Sequence, residues 1–250
     1  MFVLQPKIVI MNKSKVLVIL ALLLYILSVI FQFSDEDVIA NALKSVILPV
    51  VTLLYFVTAK RKSLFFTLFL VLFSISDLMI FLAPYISHDI DYFLGNSLYI
   101  LAYASLLVEV SKSISLVYVL RNFKIHLLVL TILNIYLIYV LQVIVDPFVS
   151  HKTNEYYIEL IYNIVMLLLL SVSLINYFYR DNVKSLFLFF GALCIVFGEV
   201  IWVAYTYISE RNLLNAVSTS LYVLAFYFFY KQSKIVQEVE REEVNMLINN

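Results

Sequence analysis

The sequence predicts an all-α membrane protein, a polytopic bundle of eight transmembrane helices. Three observations carry that prediction. Hydrophobic residues make up 64% of the 250 residues and charged residues 14%, against about 45–50% and about 25% in an ordinary soluble domain. Glycine and proline are scarce, three and four in all, so long loops are not expected. The apolar residues gather in nearly unbroken runs such as Leu64 to Leu72, whereas a membrane β-barrel would show short segments of strict alternation.

A hydrocarbon core of about 30 Å takes about 20 mostly apolar residues per helix. In chain order, the segments that meet this are 16–33, 42–59, 64–83, 92–110, 125–145, 157–179, 185–208 and 213–231. The first follows Lys13 and Lys15, as a signal peptide would. Its apolar run is long, however, and Phe31-Gln32-Phe33-Ser34 lacks the small residues of a cleavage site, so a retained helix is expected. Basic residues favour the cytoplasmic side. With the N-terminus inside, fourteen of the seventeen fall on inner segments: Lys7, Lys13 and Lys15; Lys60, Arg61 and Lys62; Lys112, Arg121 and Lys124; Arg180 and Lys184; Lys231, Lys234 and Arg241. Only Lys152 and Arg211 are left for the outer loops, which also take Asp35, Glu36, Asp37, Asp89, Asp91 and Asp146. Both termini are therefore predicted to be cytoplasmic, and the expected location is a bacterial inner membrane.

Residues 1–231 read as one transmembrane domain, and 232–250 as a short cytoplasmic tail. Glu238, Glu240, Glu242 and Glu243 make the tail acidic, which argues against binding to anionic lipid and suits a solvated helical end. A net charge of zero gives no reason to expect a nucleic-acid partner. The single cysteine, Cys194, excludes an internal disulfide and a cysteine-based zinc site. His88, His126 and His151 are too scattered to share a metal, and no cofactor is expected. A Gly-x-Ser-x-Gly elbow, a Walker loop and a zinc-binding helix motif are all missing. Span seven has no lysine for a retinal Schiff base.

Self-similarity is present at half the chain length. Ser97-Leu98-Tyr99-Ile100-Leu101-Ala102-Tyr103 in span four matches Ser220-Leu221-Tyr222-Val223-Leu224-Ala225-Phe226 in span eight, at an offset of 123 residues. At an offset of 122, Ser76-Asp77 in span three meets Gly198-Glu199 in span seven. Four spans separate each pair, so the copies run in the same direction. The expectation is a 4+4 parallel repeat.

Ionisable groups inside a span are costly and mark function by default. Asp77 lies 15 residues from Lys62, Glu199 15 from Lys184, Lys44 16 from Lys60, and Asn96 16 from Lys112. At about 1.5 Å per residue, all four sit about 22–24 Å above the inner boundary. Four helices thus offer polar groups at one depth, which lipid-facing side chains have no reason to do. The plainer alternative is a packing salt bridge between Lys44 and one acid, which would leave the other acid over. Glu109, three residues from Lys112, is expected to snorkel to the cytoplasmic surface, and Glu159 to lie near the outer one. Asn134, Gln142, Asn163 and Asn176 read as interhelical hydrogen-bonding groups.

Four stretches resemble the YhhN family of eight-span membrane proteins, whose animal members include lysoplasmalogenases. Asn41-Ala42-Leu43-Lys44 resembles the family's lysine near the start of span two. Phe73-Ser74-Ile75-Ser76-Asp77 resembles its Ser-x-x-Gly-Asp in span three, with Ser76 for the glycine. Gly191-Ala192-Leu193 through Phe197-Gly198-Glu199 resembles its Gly-Ala-Leu…Ser-Asp in span seven, with Gly-Glu for Ser-Asp. Phe93-Leu94-Gly95 through Tyr103 resembles the Phe-x-x-Gly…His stretch of span four, with tyrosine for histidine. The chain is in these terms a divergent member.

The resemblance implies a hydrolase that cleaves the vinyl-ether bond of a lysoplasmalogen-like lyso-ether lipid, releasing a fatty aldehyde and a glycerophospho-headgroup compound. The expected partners are then a lysophospholipid and the membrane. Vinyl-ether cleavage begins with protonation of the β-carbon and passes through an oxocarbenium ion, so it needs an acid, a base and a stabilising negative charge, as glycosidases do. Asp77 and Glu199 are the candidate catalytic pair, and Glu199, one methylene longer, is the better proton shuttle by reach. Lys44, Ser76, Asn96 and Tyr103 are candidate substrate-binding residues. Lys44 would hold the second acid ionised or bind the headgroup phosphate, while Asn96 and Tyr103 would orient water or substrate. The rival reading is a proton- or cation-coupled transporter using the Lys44, Asp77 and Glu199 cluster. Against it, no glycine or proline is expected to break the helices near the acids. A sensor signalling through the tail ranks last.

Overall fold

The boundaries of the helices follow from apolar length and from the residues at their ends. The computed structural model describes residues 5–148 and 154–235, with side chains from residue 13 onward. Nine α-helices occur among them: α1 (Gln5–Phe33), α2 (Asp37–Thr58), α3 (Leu64–Leu78), α4 (His88–Ser111), α5 (Leu116–Asn122), α6 (Lys124–Val145), α7 (Asn154–Arg180), α8 (Val183–Tyr207) and α9 (Asn212–Lys234). No strand is found among the described residues. All except α5 are long and apolar enough to cross a membrane, α3 doing so together with a 3-10 extension to Phe81. These eight helices coincide with the eight expected spans. Of the tail, Gln232–Lys234 still belongs to α9, and residues 236–250, like His151 and Lys152, lie outside the described residues.

Tight connections explain how so few glycines suffice. Asp35 turns the chain between α1 and α2 at φ 59°, and Asp181 does the same between α7 and α8 at φ 44°. Aspartate is among the few non-glycine residues that tolerate this left-handed region. Asn182 then caps α8, its side-chain oxygen accepting from Ser185 N–H at 2.9 Å.

Two features depart from expectation. The first is α5, an extra helix in the loop between spans four and five. At seven residues it is too short to span, yet Leu116, Val117 and Leu120 are exposed, which suits a helix lying along the membrane interface. The second is the end of α3, which the sequence carried as one span to residue 83. The α-helical ladder of α3 ends at Leu78, one residue past Asp77, and passes into 3-10 turns at Met79–Phe81 and Ala83–Tyr85. Pro84 has no N–H to continue the ladder, and it disfavours the α region for Ala83.

Six helices form a closed ring in the order α2, α3, α4, α7, α8, α9, with α9 returning to α2. α1 leans on the outside against α2 and α9, and α6 against α7 and α8. The burial pattern agrees: 17% of the spanning window of α1 and of α6 is buried, against 44% for α2 and α7. The outward faces of α1 and α6 carry exposed Leu, Ile and Val, as lipid-facing helices should. The middle of the ring is filled by aromatic rings, with Phe66, Phe69, Phe73, Tyr103, Phe226 and Phe229 all buried. Phe69 packs edge-on against Phe73 and Phe229, at 5.9 and 5.3 Å between centroids. Lipid is as apolar as these side chains, so close packing rather than water exclusion must hold the centre together. Gly191 on α8 makes one such approach possible, because a Cβ there would come within 2.4 Å of the Phe229 ring.

The helix pairs α3/α4 and α8/α9 share a detail at the 122- and 123-residue offsets. Ser76 Oγ on α3 donates to the Gly95 carbonyl on α4 at 2.9 Å. Ser218 Oγ on α9 donates to the Gly198 carbonyl on α8, also at 2.9 Å. Ser76 is offset to Gly198 and Gly95 to Ser218, so serine and glycine have exchanged places across equivalent contacts.

Candidate functional site

A cavity of about 530 Å³ opens inside the ring, at the end where α2, α4, α7 and α9 begin and α3 and α8 finish. Its polar wall carries Lys44, Ser76, Asp77, Asn96 and Glu199, one or more from each of α2, α3, α4 and α8. Five of the six residues singled out from the sequence therefore line one space. Apolar side chains, among them Ile47, Leu48, Phe73, Met79 and Phe226, complete the lining. A polar wall facing an apolar one is what a lipid with a headgroup and a chain would require.

The two acids are held differently. Asp77, in the last turn of α3, accepts one hydrogen bond at Oδ1 from the Tyr99 hydroxyl of α4, at 2.6 Å. Glu199, in the middle of α8 and 8% exposed, accepts at Oε1 from the Tyr103 hydroxyl at 2.7 Å. The hydroxyls of Tyr162 on α7 and Tyr222 on α9 lie close to it. Glu199 thus sits in a cage of phenols, each of which can donate to a carboxylate. Tyr99 and Tyr222 are offset by 123 residues, and each faces the acid of its own helix pair.

Lys44 enters from α2. Its ammonium lies 4.4 Å from the centroid of the Trp202 ring and 3.5 Å from Asn215 Oδ1 on α9. The tryptophan face and the amide replace part of the hydration that burial removes. Among its described contacts there is no carboxylate, so the packing salt bridge weighed as an alternative is not formed. Asn215 in turn donates to Gln32 of α1, and Gln32 to Asp37 at 2.7 Å. The polar layer at this end therefore extends through α1 and α2 to the end of the bundle.

Not every expected residue meets the cavity directly. Tyr103 is completely buried behind Glu199 and does not line the space, so it positions the acid rather than touching a ligand. Ser76 lines the cavity, but its hydroxyl is committed to Gly95. Asn96 donates its amide to the Tyr92 carbonyl at 3.0 Å on its own helix. Glu159, read from the sequence as near the surface, lines the cavity and accepts from the Tyr92 hydroxyl at 2.7 Å. Glu109 does not simply snorkel: it is half-buried, accepts from Ser63 Oγ and lines a second, smaller cavity at the opposite end of the bundle. At the exposed rim, His88, Asp89 and Glu155 bring one ligand atom each within 4.8 Å of one another; such exposed acidic groups are common without an ion.

The residues that sequence reasoning missed are Tyr99, Tyr162, Tyr222, Trp202 and Asn215. Tyr99 and Tyr222 stood inside the repeated stretch of spans four and eight, and that match was the available signal. Trp202, the only tryptophan, lies three residues beyond Glu199, where a helix presents the same face. Nothing local distinguished Tyr162 from the other eighteen tyrosines. No family model, no curated protein and no solved structure matches the chain.

Proposed function

We propose that the chain is a membrane hydrolase that cleaves the vinyl-ether bond of lysoplasmalogen-like lyso-ether lipids. The observation that carries this reading is a pair of carboxyl groups, each accepting from a tyrosine hydroxyl but differently surrounded, on the wall of one lipid-sized, half-apolar cavity. Asp77 is the proton donor and Glu199 the carboxylate. One phenolic hydrogen bond, with the hydroxyls of Tyr162 and Tyr222 close by, suits Glu199 to carry the negative charge. Asp77 has one donor and lies at the C-terminal end of α3, where the helix dipole opposes a negative charge. The nearby hydroxyls and the dipole thus outweigh the extra reach of glutamate.

Asp77 would protonate the β-carbon of the vinyl ether, and the oxocarbenium ion so formed would be stabilised by Glu199. Glu199 would then take a proton from the attacking water, and the hemiacetal would collapse to a fatty aldehyde and the glycerophospho-headgroup alcohol. Lys44, backed by Trp202 and Asn215, would hold the phosphate, and the apolar wall the hydrocarbon chain. The chain would be an integral protein of the bacterial inner membrane with both termini cytoplasmic, which puts the cavity in the outer half of the bilayer. A 4+4 parallel repeat accounts for the exchanged Ser/Gly contacts, for the Tyr99 and Tyr222 pairings, and for α2 and α7 each bridging the two helix pairs.

The test is incubation of the purified protein with a panel of lyso-ether and lyso-ester lipids, reading aldehyde and fatty acid. Aldehyde release that Asp77→Asn abolishes supports the proposal; a protein inert toward every vinyl ether overturns it. One observation favours a second reading, ion-coupled transport: the α-helical ladder of α3 gives way to 3-10 turns just past Asp77, and interrupted helices supply ligands at transport sites. Proton flux into protein-containing liposomes, without aldehyde release, would identify that activity instead.

A further inference from the structure

Of the amides that the sequence assigns to bonding between helices, Asn134 does so, donating to Ser171 Oγ at 2.8 Å. Asn163 of α7 does not. Among the described residues it has no hydrogen-bond partner, although it is only 3% exposed. Its amide atoms keep accessible surface, unlike those of Gln142, which are closed off without a partner. That surface belongs to the main cavity, because Glu159, Tyr162, Asn163 and Met166, spaced as one helix face, all line it.

Thr219 of α9 repeats the case. It is 5% exposed, and among the described residues its hydroxyl has no partner and is not closed off. Thr219, Tyr222, Val223 and Phe226 form the lining face of α9 at the same spacing. α7 and α9 are the two ring neighbours of α8. Asn163 is nine residues in from Asn154, Thr219 seven in from Asn212, and Glu199 eight from Tyr207. At about 1.5 Å per residue these depths agree to about 3 Å, so the two side chains flank the acid near its own level.

Both groups are neutral, and each can donate and accept. A phosphate would leave the Asn163 carbonyl oxygen unmet, and an ammonium would leave its NH2 group unmet. A hydroxyl answers both. Leaving a buried polar group unpaired is costly, so a ligand that displaces water here must replace the bonds that water made.

Building on the reading of the cavity as a lysolipid site, and independently of which bond is cleaved there, we infer that Asn163 and Thr219 form a subsite for an uncharged alcohol, the free hydroxyl on the central glycerol carbon of a single-chain lipid. That hydroxyl stands between the carbon bearing the phosphate and the carbon bearing the ether, which suits a subsite beside Glu199 with Lys44 on the same wall. An acyl chain on that oxygen removes the proton that Asn163 accepts, so the subsite selects lysolipids over diacyl lipids.

Trp202, the only tryptophan, lines the cavity and reports its occupancy. The full-length protein in diacyl phosphatidylcholine liposomes is titrated with a saturated alkyl lysophosphatidylcholine whose chain is brominated close to the glycerol, and quenching of Trp202 is read. A second titration uses the same lipid with hydrogen in place of the central hydroxyl, and a brominated diacyl lipid gives the background. Saturable quenching is expected, with the hydroxyl-bearing lipid bound about tenfold or more tighter. Thr219→Val, which exchanges the hydroxyl for a methyl group, and Asn163→Leu should each lower that preference several-fold, and the double variant should abolish it. Thr219→Val carries the test if Asn163→Leu does not fold. Variants that weaken both lipids alike and keep the preference overturn the inference, as does equal binding of the two lipids by the unaltered protein or no quenching beyond background. Neither lipid contains a vinyl ether, so hydrolysis plays no part in the reading. A preference found in a protein that releases no aldehyde refutes the hydrolase and keeps the subsite.

Discussion

Removing the hydroxyl of Tyr103 separates positioning from substrate contact. Tyr103→Phe deletes a single oxygen from a side chain that is completely buried and does not line the cavity. Phenylalanine is also what stands at the offset position, Phe226, so the ring itself is compatible with this packing. The lost interaction is a 2.7 Å hydrogen bond to Glu199 Oε1. A hydrogen bond to a charged group contributes about 1.5–3 kcal/mol, and at about 1.4 kcal/mol per decade that corresponds to about 10–150-fold in rate. Tyr162 and Tyr222 still face Glu199, so the lower end applies. Aldehyde release by Tyr103→Phe should fall about tenfold in kcat with KM unchanged. Single-turnover assays on lyso-vinyl-ether lipid in mixed micelles would read this directly. An unchanged kcat in a folded variant, or a raised KM with kcat intact, would refute the view that Tyr103 acts through Glu199.

Three further outcomes are expected. Asp77→Asn and Glu199→Gln should each lose about 10²–10⁴-fold in turnover, the usual worth of a general acid or base, while retaining a folded, monodisperse protein by size-exclusion chromatography. Gly191→Ala should destabilise the bundle by about 1–3 kcal/mol, because its Cβ would press within 2.4 Å of Phe229; Phe229→Leu in the same chain should restore part of the loss in a thermal-unfolding assay. Cysteines placed at Asp37 and Asp89 should react with an impermeant thiol reagent from outside intact cells, and one at Lys62 should not; the opposite labelling would reverse the orientation.

Helix number and placement were legible from the sequence because a bilayer imposes a length and demands that each backbone polar group be satisfied within its own segment. Lys44, Asp77, Asn96 and Glu199 could be aligned by counting residues from basic flanks, since rise per residue is constant in a helix. α5 was not legible, because seven residues fall below the length at which hydropathy distinguishes a helix from a loop. Likewise, the end of α3 beside Asp77 depends on how the chain leaves the bundle, to which Pro84 contributes without determining it. The tyrosine cage was decided only in three dimensions. Tyrosine suits a membrane interface, a buried ring or a hydrogen bond to a carboxylate equally well, and Tyr103 and Glu199 are 96 residues apart in the chain. The distinct surroundings of the two acids also arise from the tertiary fold. Only the ring, which sets α7 and α9 beside α8 and lets Tyr103 reach across from α4, gathers three hydroxyls around Glu199 and leaves Asp77 with one.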